Sequence, residues 1–356
     1  MKRGIKNWTK LIFFLYLFVF SIELIKKTSL LLAPFFKEFL LNSITPLKAI
    51  CVGWFTTSIF QSSGAIGSIT AAFAGNDLIS LSTAIYLLAG TSIGATITAL
   101  IISLIIVAKK RRDFRHGFEI GLCYTIYNII LISIILLLEY FFKIFSRTSM
   151  IIAEFLFKKI SFFHIPNIVE TFTSPIINFL LIKNNYALAF VIAFVFLIFS
   201  LKYIGKSVID VLGGEEKSRS FINKYFESKY KAYFIGVILT AIVFSSGITI
   251  GLLVPLAVAR LINLKKAIPF IIGARLGTST DIFLASLIIN QPSALAVAVA
   301  YFLFGVLGTI IFLPNTELLF KITKHISKKT IHVSRKKALF VLLAFILIPL
   351  AIILFF

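Results

Sequence analysis

The sequence predicts an all-α, polytopic membrane protein built from two inverted-topology repeats, each with a re-entrant helical hairpin and a broken transmembrane helix. Three observations carry that expectation. Hydrophobic residues form 59% of the 356 and mean hydropathy is +1.01. Near-continuous apolar stretches recur at 11–25, 91–108, 120–142, 186–201, 294–313 and 338–356, several of them close to the ~20 residues that cross a bilayer as a helix. The chain also contains half of itself twice. Gln61-Ser62-Ser63-Gly64 recurs as Phe244-Ser245-Ser246-Gly247, and Gly90 and Gly94 recur as Gly273 and Gly277, all 183 positions further on. Gly53 and Gly236, Thr57 and Thr240, Ile85 and Ile268, and Ser103 and Ser286 keep the same separation without a gap. Finally, 23 of the 36 Lys and Arg residues fall in four short stretches, at 1–10, 109–116, 202–231 and 321–337.

That clustering turns a formal charge of +22 into a topology signal rather than a nucleic-acid footprint, because cytoplasmic loops of membrane proteins collect Lys and Arg. Anionic membrane lipid is the partner expected at these runs; nucleic acid is not. The loop at 289–293, after repeat two, carries no charge, whereas its counterpart after repeat one is the basic stretch 109–116. The two repeats are therefore expected to sit upside down to one another in a cell membrane, with the N-terminus cytoplasmic.

Each element follows from this frame. Residues 1–10 resemble the start of a signal peptide, but Glu23, Lys26 and Lys27 stand where small cleavage-site residues belong, so Trp8 to Ile25 reads as a first transmembrane helix. Lys26 to Leu41 is expected along the outer surface. A rising arm from Ser43 to Phe60 reaches the tip 61–64, and the return ends at Gly75-Asn76-Asp77. These arms are too short for two full crossings at 1.5 Å per residue, hence a re-entrant hairpin. Leu78 to Ala108 then crosses inward with a break at Gly90–Gly94, and His116 to Phe142 exits. The stretch 143–185, with Pro166 and Pro175, reads as an external connection, and Tyr186 to Leu201 returns. Repeat two begins inside. Its hairpin re-emerges at Arg260, Lys265 and Lys266, and Ala267 to Ile288 crosses outward. The chain thus divides into 8–142, 143–185, 186–313 and a basic cytoplasmic loop with a C-terminal helix at 314–356.

Several chemistries have no foothold here. Cys51 and Cys123 lie in apolar stretches and make no disulfide framework, and His116, His164, His325 and His332 are scattered at no metal-ligand spacing. No P-loop, HExxH or GxSxG pattern occurs, no cofactor is implied, and the chain is not expected to be an enzyme. A Ser-Ser-Gly tip at membrane depth instead supplies hydroxyls, freed amides and freed carbonyls at one place, tolerated only beside protein or a wet cavity. Helix N-termini after the tips and breaks favour an anion, while carbonyl-bearing C-terminal ends suit a small cation. Small residues that merely let helices approach are the alternative for any single tip. A matched pair of tips with a matched pair of breaks points to a substrate site at the repeat interface.

The runs TTSIFQSSGAIGS and GTSIGATITAL in repeat one, and TAIVFSSGITIG and GARLGTSTDIFLAS in repeat two, resemble the type II sodium-phosphate cotransporter family, over about 10–130 and 187–313. Tyr127-Asn128 is similar to a Phe-Asn pair that the family carries after its first repeat. The resemblance implies a secondary transporter moving inorganic phosphate or a similar oxyanion, with sodium as coupling ion. It implies substrate contacts from Ser62, Ser63, Gly64, Ser245, Ser246 and Gly247, and ion sites shaped by Gln61, Thr91, Ser92, Thr278 and Ser279; Asp281, a carboxylate in a transmembrane segment, is expected as a proton or cation site on its own chemistry. The departures are specific: Gly64 and Gly247 replace a third tip Ser, Phe244 a second Gln, and Ser92 and Arg275 two Asn residues. Arg275 is costly at membrane depth, so it is expected to bind an oxyanion, to stand in for a sodium ion, or to pair with Asp281. A proton-coupled or uncoupled anion carrier, or a non-transporting sensor of the same fold, stays open from sequence.

Overall fold

The computed structural model of the chain describes residues 2–31, 45–106, 111–160, 168–181, 185–211, 226, 228–258, 260, 262–331 and 335–355. Every regular element among them is an α-helix. In chain order these are α1 (Lys2–Leu31), α2 (Pro46–Phe60), α3 (Ser63–Gly75), α4 (Leu81–Gly94), α5 (Ile97–Ile106), α6 (Arg111–Phe142), α7 (Ile144–Ile160), α8 (Ile168–Leu181) and α9 (Tyr186–Val211). There follow α10 (Lys229–Val243), α11 (Ser246–Gly251), α12 (Leu253–Val258), α13 (Leu264–Gly277), α14 (Ser279–Ile289), α15 (Pro292–Phe312), α16 (Thr316–Ile331) and α17 (Arg335–Phe355). Among the described residues, five stretches are long and apolar enough to cross a membrane: Asn7–Ile25, Leu81–Ile101, Arg115–Phe142, Leu264–Ile289 and Pro292–Phe312. This is an all-α, multi-pass membrane protein.

The hairpin turns have matching causes in the two halves. α2 opens on Thr45, whose side chain accepts from the Lys48 N–H, with Pro46 in the first turn, where its missing N–H costs nothing. It stops because Gln61 takes a left-handed conformation (φ 52°, ψ 33°) with its N–H on the Thr57 carbonyl, and Ser62 then caps α3 by accepting from Ala65 N–H at 3.2 Å. α10 stops at Phe244 (φ 57°, ψ 27°), bonded to the Thr240 carbonyl, and Ser245 caps α11 from Ile248 N–H at 3.2 Å. Neither Gln nor Phe is suited to positive φ, so the surrounding contacts must fix both turns.

Those contacts run through glycine. α2 packs on α4, and α10 on α13. A Cβ at Gly53, Gly90 or Gly94 would collide with the carbonyl oxygens of Leu87, Ile50 and Trp54 respectively, and a Cβ at Gly236, Gly273 or Gly277 with those of Phe270, Tyr233 and Val237. Each partner in the second set is the repeat equivalent of its counterpart in the first. The glycines are therefore surfaces of helix crossing, and this corrects the expected break at Gly90–Gly94. The helix runs on through Gly94 and yields only at Ala95-Thr96, and its counterpart yields at Thr278.

Three other expectations change. α1 is longer than Trp8–Ile25 and carries helix to Leu31, into the segment expected to lie on the outer surface. The stretch 143–185 contains two helices, not merely a connection: α7 presses Ala153 against Leu295, Ala296 and Val299 of α15. The basic stretch after α15 is helical too: Leu319, Thr323 and Ser327 recur every fourth residue and are all fully buried, Lys321 and Lys328 are exposed, and Lys324 turns inward to Glu119. Lys265 Nζ bridges Glu317 at 2.8 Å, which holds the Glu317 carboxyl below its ordinary value. Residues 32–44, 107–110 and 212–225, together with His164 and His332, lie outside the described residues.

Candidate functional site

The two tips and the two breaks come together across the repeats. Gly64, at the first tip, faces the Asp281 carboxylate so closely that a Cβ would overlap it, and Gly247, at the second tip, faces Thr98. Positions 98 and 281 are themselves repeat equivalents. Each tip thus contacts the same position of the opposite repeat, which is the exchange that a two-fold relation produces. Between them Arg275 Nη2 donates to Ser92 Oγ at 2.8 Å, across a sequence separation of 183. Equivalent residues can touch one another only where such a two-fold passes, so Arg275 and Ser92 mark its position.

Arg275, in the last turn of α13, is the largest fully buried side chain among the described residues, at 1% exposure. Its guanidinium lies 4.1 Å from the ring centroid of Tyr301, a cation–π contact. Nε and Nη1 find no hydrogen-bond partner among the described residues. Asp281 is also fully buried. Its Oδ1 accepts from the Ile282 N–H at 2.8 Å, and its Oδ2 is unpartnered among the described residues. No ion pair joins these two charges there, so the structural pairing of Arg275 with Asp281 is not what the fold makes. Arg275 is a buried charge and Asp281 a buried carboxyl, each with hydrogen-bonding capacity to spare, and such groups are costly at membrane depth unless something answers them.

The remaining expected residues separate by environment. Ser63 and Ser246 are buried, and Ser246 Oγ lies 3.0 Å from Tyr124 OH. Ser62 and Ser245 are half-buried caps, while Gln61 is exposed at the tip. Ser92 Oγ, besides accepting from Arg275, donates to the Leu88 carbonyl. Thr91 Oγ1 is buried and unpartnered among the described residues. Thr278 and Ser279 donate back into the end of α13, to the Ala274 and Leu276 carbonyls, so they shape the break first and keep only their remaining lone pairs for other partners. Phe244 stacks on Phe18 at 6.3 Å. The sequence reading missed Thr57, Tyr124, Thr98 and Tyr301. Thr57 carried a signal, its recurrence as Thr240; nothing local distinguishes Tyr301 from the other aromatics of α15.

Taken together, the centre offers hydroxyls, backbone amides, one guanidinium and one carboxylate.

A sequence profile of the Na+/Pi-cotransporter family matches residues 11–163 and 196–322. Sodium-dependent phosphate transport protein 2A of Mus musculus is 24% identical over 418 residues, covering 94% of this chain and 65% of that protein. Sodium-dependent phosphate transport protein 2B of Bos taurus is 23% identical over 455 residues, 98% of this chain and 65% of that protein. The 2C protein of Homo sapiens is 32% identical over 127 residues, 34% and 21% of the respective chains. The chain thus spans 65% of the length of the 2A and 2B relatives. No solved structure matches it. With the profile covering most of the chain and both repeats, the chain belongs to the Na+/Pi-cotransporter family.

Proposed function

We propose that the chain is a secondary active transporter that carries inorganic phosphate, or a similar oxyanion, together with sodium. One observation carries the reading: the first hairpin tip closes on the buried Asp281 carboxyl of the opposite repeat and the second on Thr98, while the buried Arg275 guanidinium bonds Ser92 across the repeats and is not paired with Asp281. Such a centre accepts an anion and a cation together. Ser62, Ser63, Gly64 and their counterparts Ser245, Ser246 and Gly247 would hold the oxyanion with Arg275. Gln61, Thr91, Ser92 and Asp281, with Thr278 and Ser279 shaping the break, would form the sodium side. The names of the relatives support sodium and phosphate as the pair.

Electrostatics supports coupling. Moving a divalent anion inward against 100 mV costs about 4.6 kcal/mol, so accumulation requires co-transported cations. The contrast between the basic stretch 109–116 and the uncharged loop 289–293 supports repeats inverted in the membrane, with the N-terminus inside, which is the arrangement that lets one centre face each side in turn. Purified protein in liposomes should take up labelled phosphate when an inward sodium gradient is imposed, and much less with potassium. Uptake no greater than that of empty liposomes under the sodium gradient would overturn the proposal.

A further inference from the structure

The two repeats share a fold and a two-fold contact pattern, yet their unsatisfied polar groups are not shared. Around the first hairpin, the oxygens of Thr57, Ser68, Thr91 and Asp281 are buried without a partner among the described residues. Thr57 and Thr91 sit on the two helices that touch through Gly53 and Gly94. Asp281 reaches the same hairpin from the opposite repeat at Gly64. Around the second hairpin every equivalent is closed or lost. Thr240 Oγ1 lies 2.8 Å from Thr249 Oγ1, Gly251 stands at the Ser68 position, Ala274 at the Thr91 position, and Thr98 in place of the carboxylate. One residue beyond Ala274 the chain places Arg275, whose guanidinium has two nitrogens without partners.

Oxygen atoms lacking a donor are what a small hard cation recognises, and a guanidinium is a cation that never leaves. Resting on the transporter reading above, we propose that coupling is asymmetric. Sodium binds on the repeat-one side, with Thr57 and Thr91 hydroxyls and the Asp281 carboxylate among its ligands. On the repeat-two side Arg275 occupies the electrostatic role of a cation and holds the oxyanion as a tethered counter-ion. Part of the substrate's charge is then neutralised before any sodium arrives. Phosphate binding should therefore persist without sodium, while transport should still require it.

Two measurements on the full chain test this. First, wild-type protein should bind inorganic phosphate in sodium-free potassium buffer, and Arg275→Gln should weaken that binding roughly ten- to a hundred-fold, the loss of a charge-assisted contact. Arg275→Lys, which keeps the charge, should recover part of it, separating charge from packing. Second, in liposomes Thr57→Val with Thr91→Val should abolish sodium stimulation of uptake, whereas Thr240→Val, at the closed equivalent, should leave it intact. Arg275→Gln that binds phosphate as tightly as wild type would overturn the inference, as would equal loss of sodium stimulation in the Thr57/Thr91 and Thr240 variants. If wild-type protein shows neither phosphate binding nor sodium-driven uptake, the transporter reading itself falls.

Discussion

At the scale of single residues, buried polar groups separate those that bind from those that brace. Glu119 is a bracing group. Only 1% exposed, it accepts from Lys324 at 2.6 Å, Ser327 at 3.0 Å and Arg115 at 3.1 Å, fastening α16 to α6. Every oxygen is used, so nothing is left for an ion. Glu119→Gln should lower stability by about 1–3 kcal/mol, seen as a downward shift of the thermal unfolding midpoint in detergent, without changing phosphate binding. On the transporter reading proposed above, the tip serines act oppositely. Ser63→Ala together with Ser246→Ala removes two buried hydroxyls on opposite sides of the centre and should abolish phosphate uptake while the protein still elutes as a folded species. Unchanged uptake would assign these hydroxyls to packing alone. Arg275 was conspicuous in the sequence because charge is rare at membrane depth. Its partner was not legible, since Ser92 lies 183 residues away and only the folded contact brings it there. Of the partners of Glu119, Arg115 stands four residues before it on the same helix, but Lys324 and Ser327 gave no sign at all, because spacing between distant helices is not written locally.

Among elements, the glycines of the repeats were legible as a pattern and misread as a cause. A Gly-rich stretch in an apolar segment can break a helix or let another backbone approach, and sequence cannot separate the two. Contact with the α2 and α10 backbones decides for close approach, and the breaks fall just beyond, at Ala95-Thr96 and Thr278. Gly90→Ala should consequently cost about 1–3 kcal/mol through overpacking, since the obstacle is the Ile50 carbonyl, which cannot rotate aside. Gly273→Ala, facing the Tyr233 carbonyl, should cost a similar amount, and both would be read from the unfolding midpoint. An unshifted midpoint in both would remove the crossing argument. The helices between the repeats were hidden for a different reason. α7 is amphipathic and short, with Ile151 and Phe155 exposed while Ala153 is buried, so its apolar content resembles neither a full crossing nor a loop.

For the whole molecule, the central matter is orientation. Thr83, near the start of α4, and Lys266, near the start of α13, are repeat equivalents, and on the inverted reading they face opposite sides of the membrane. Cysteine at Thr83 should react with an impermeant reagent added outside intact cells, and cysteine at Lys266 only after the cytoplasmic side is opened; labelling of both from one side would refute inversion. The sequence by itself determined the solvent, the helical class, the duplication and the sites of the two tips, because each is written in local composition or in a fixed internal spacing. Tertiary structure alone decided that Gly64 meets Asp281 while Gly247 meets Thr98, that Arg275 bonds its own repeat equivalent, and that, among the described residues, unsatisfied oxygens gather around one hairpin and not the other. The physical reason is that a duplicated sequence specifies two similar halves, whereas the balance of buried charge and hydrogen bonding belongs to the interface between them and exists only once they are packed.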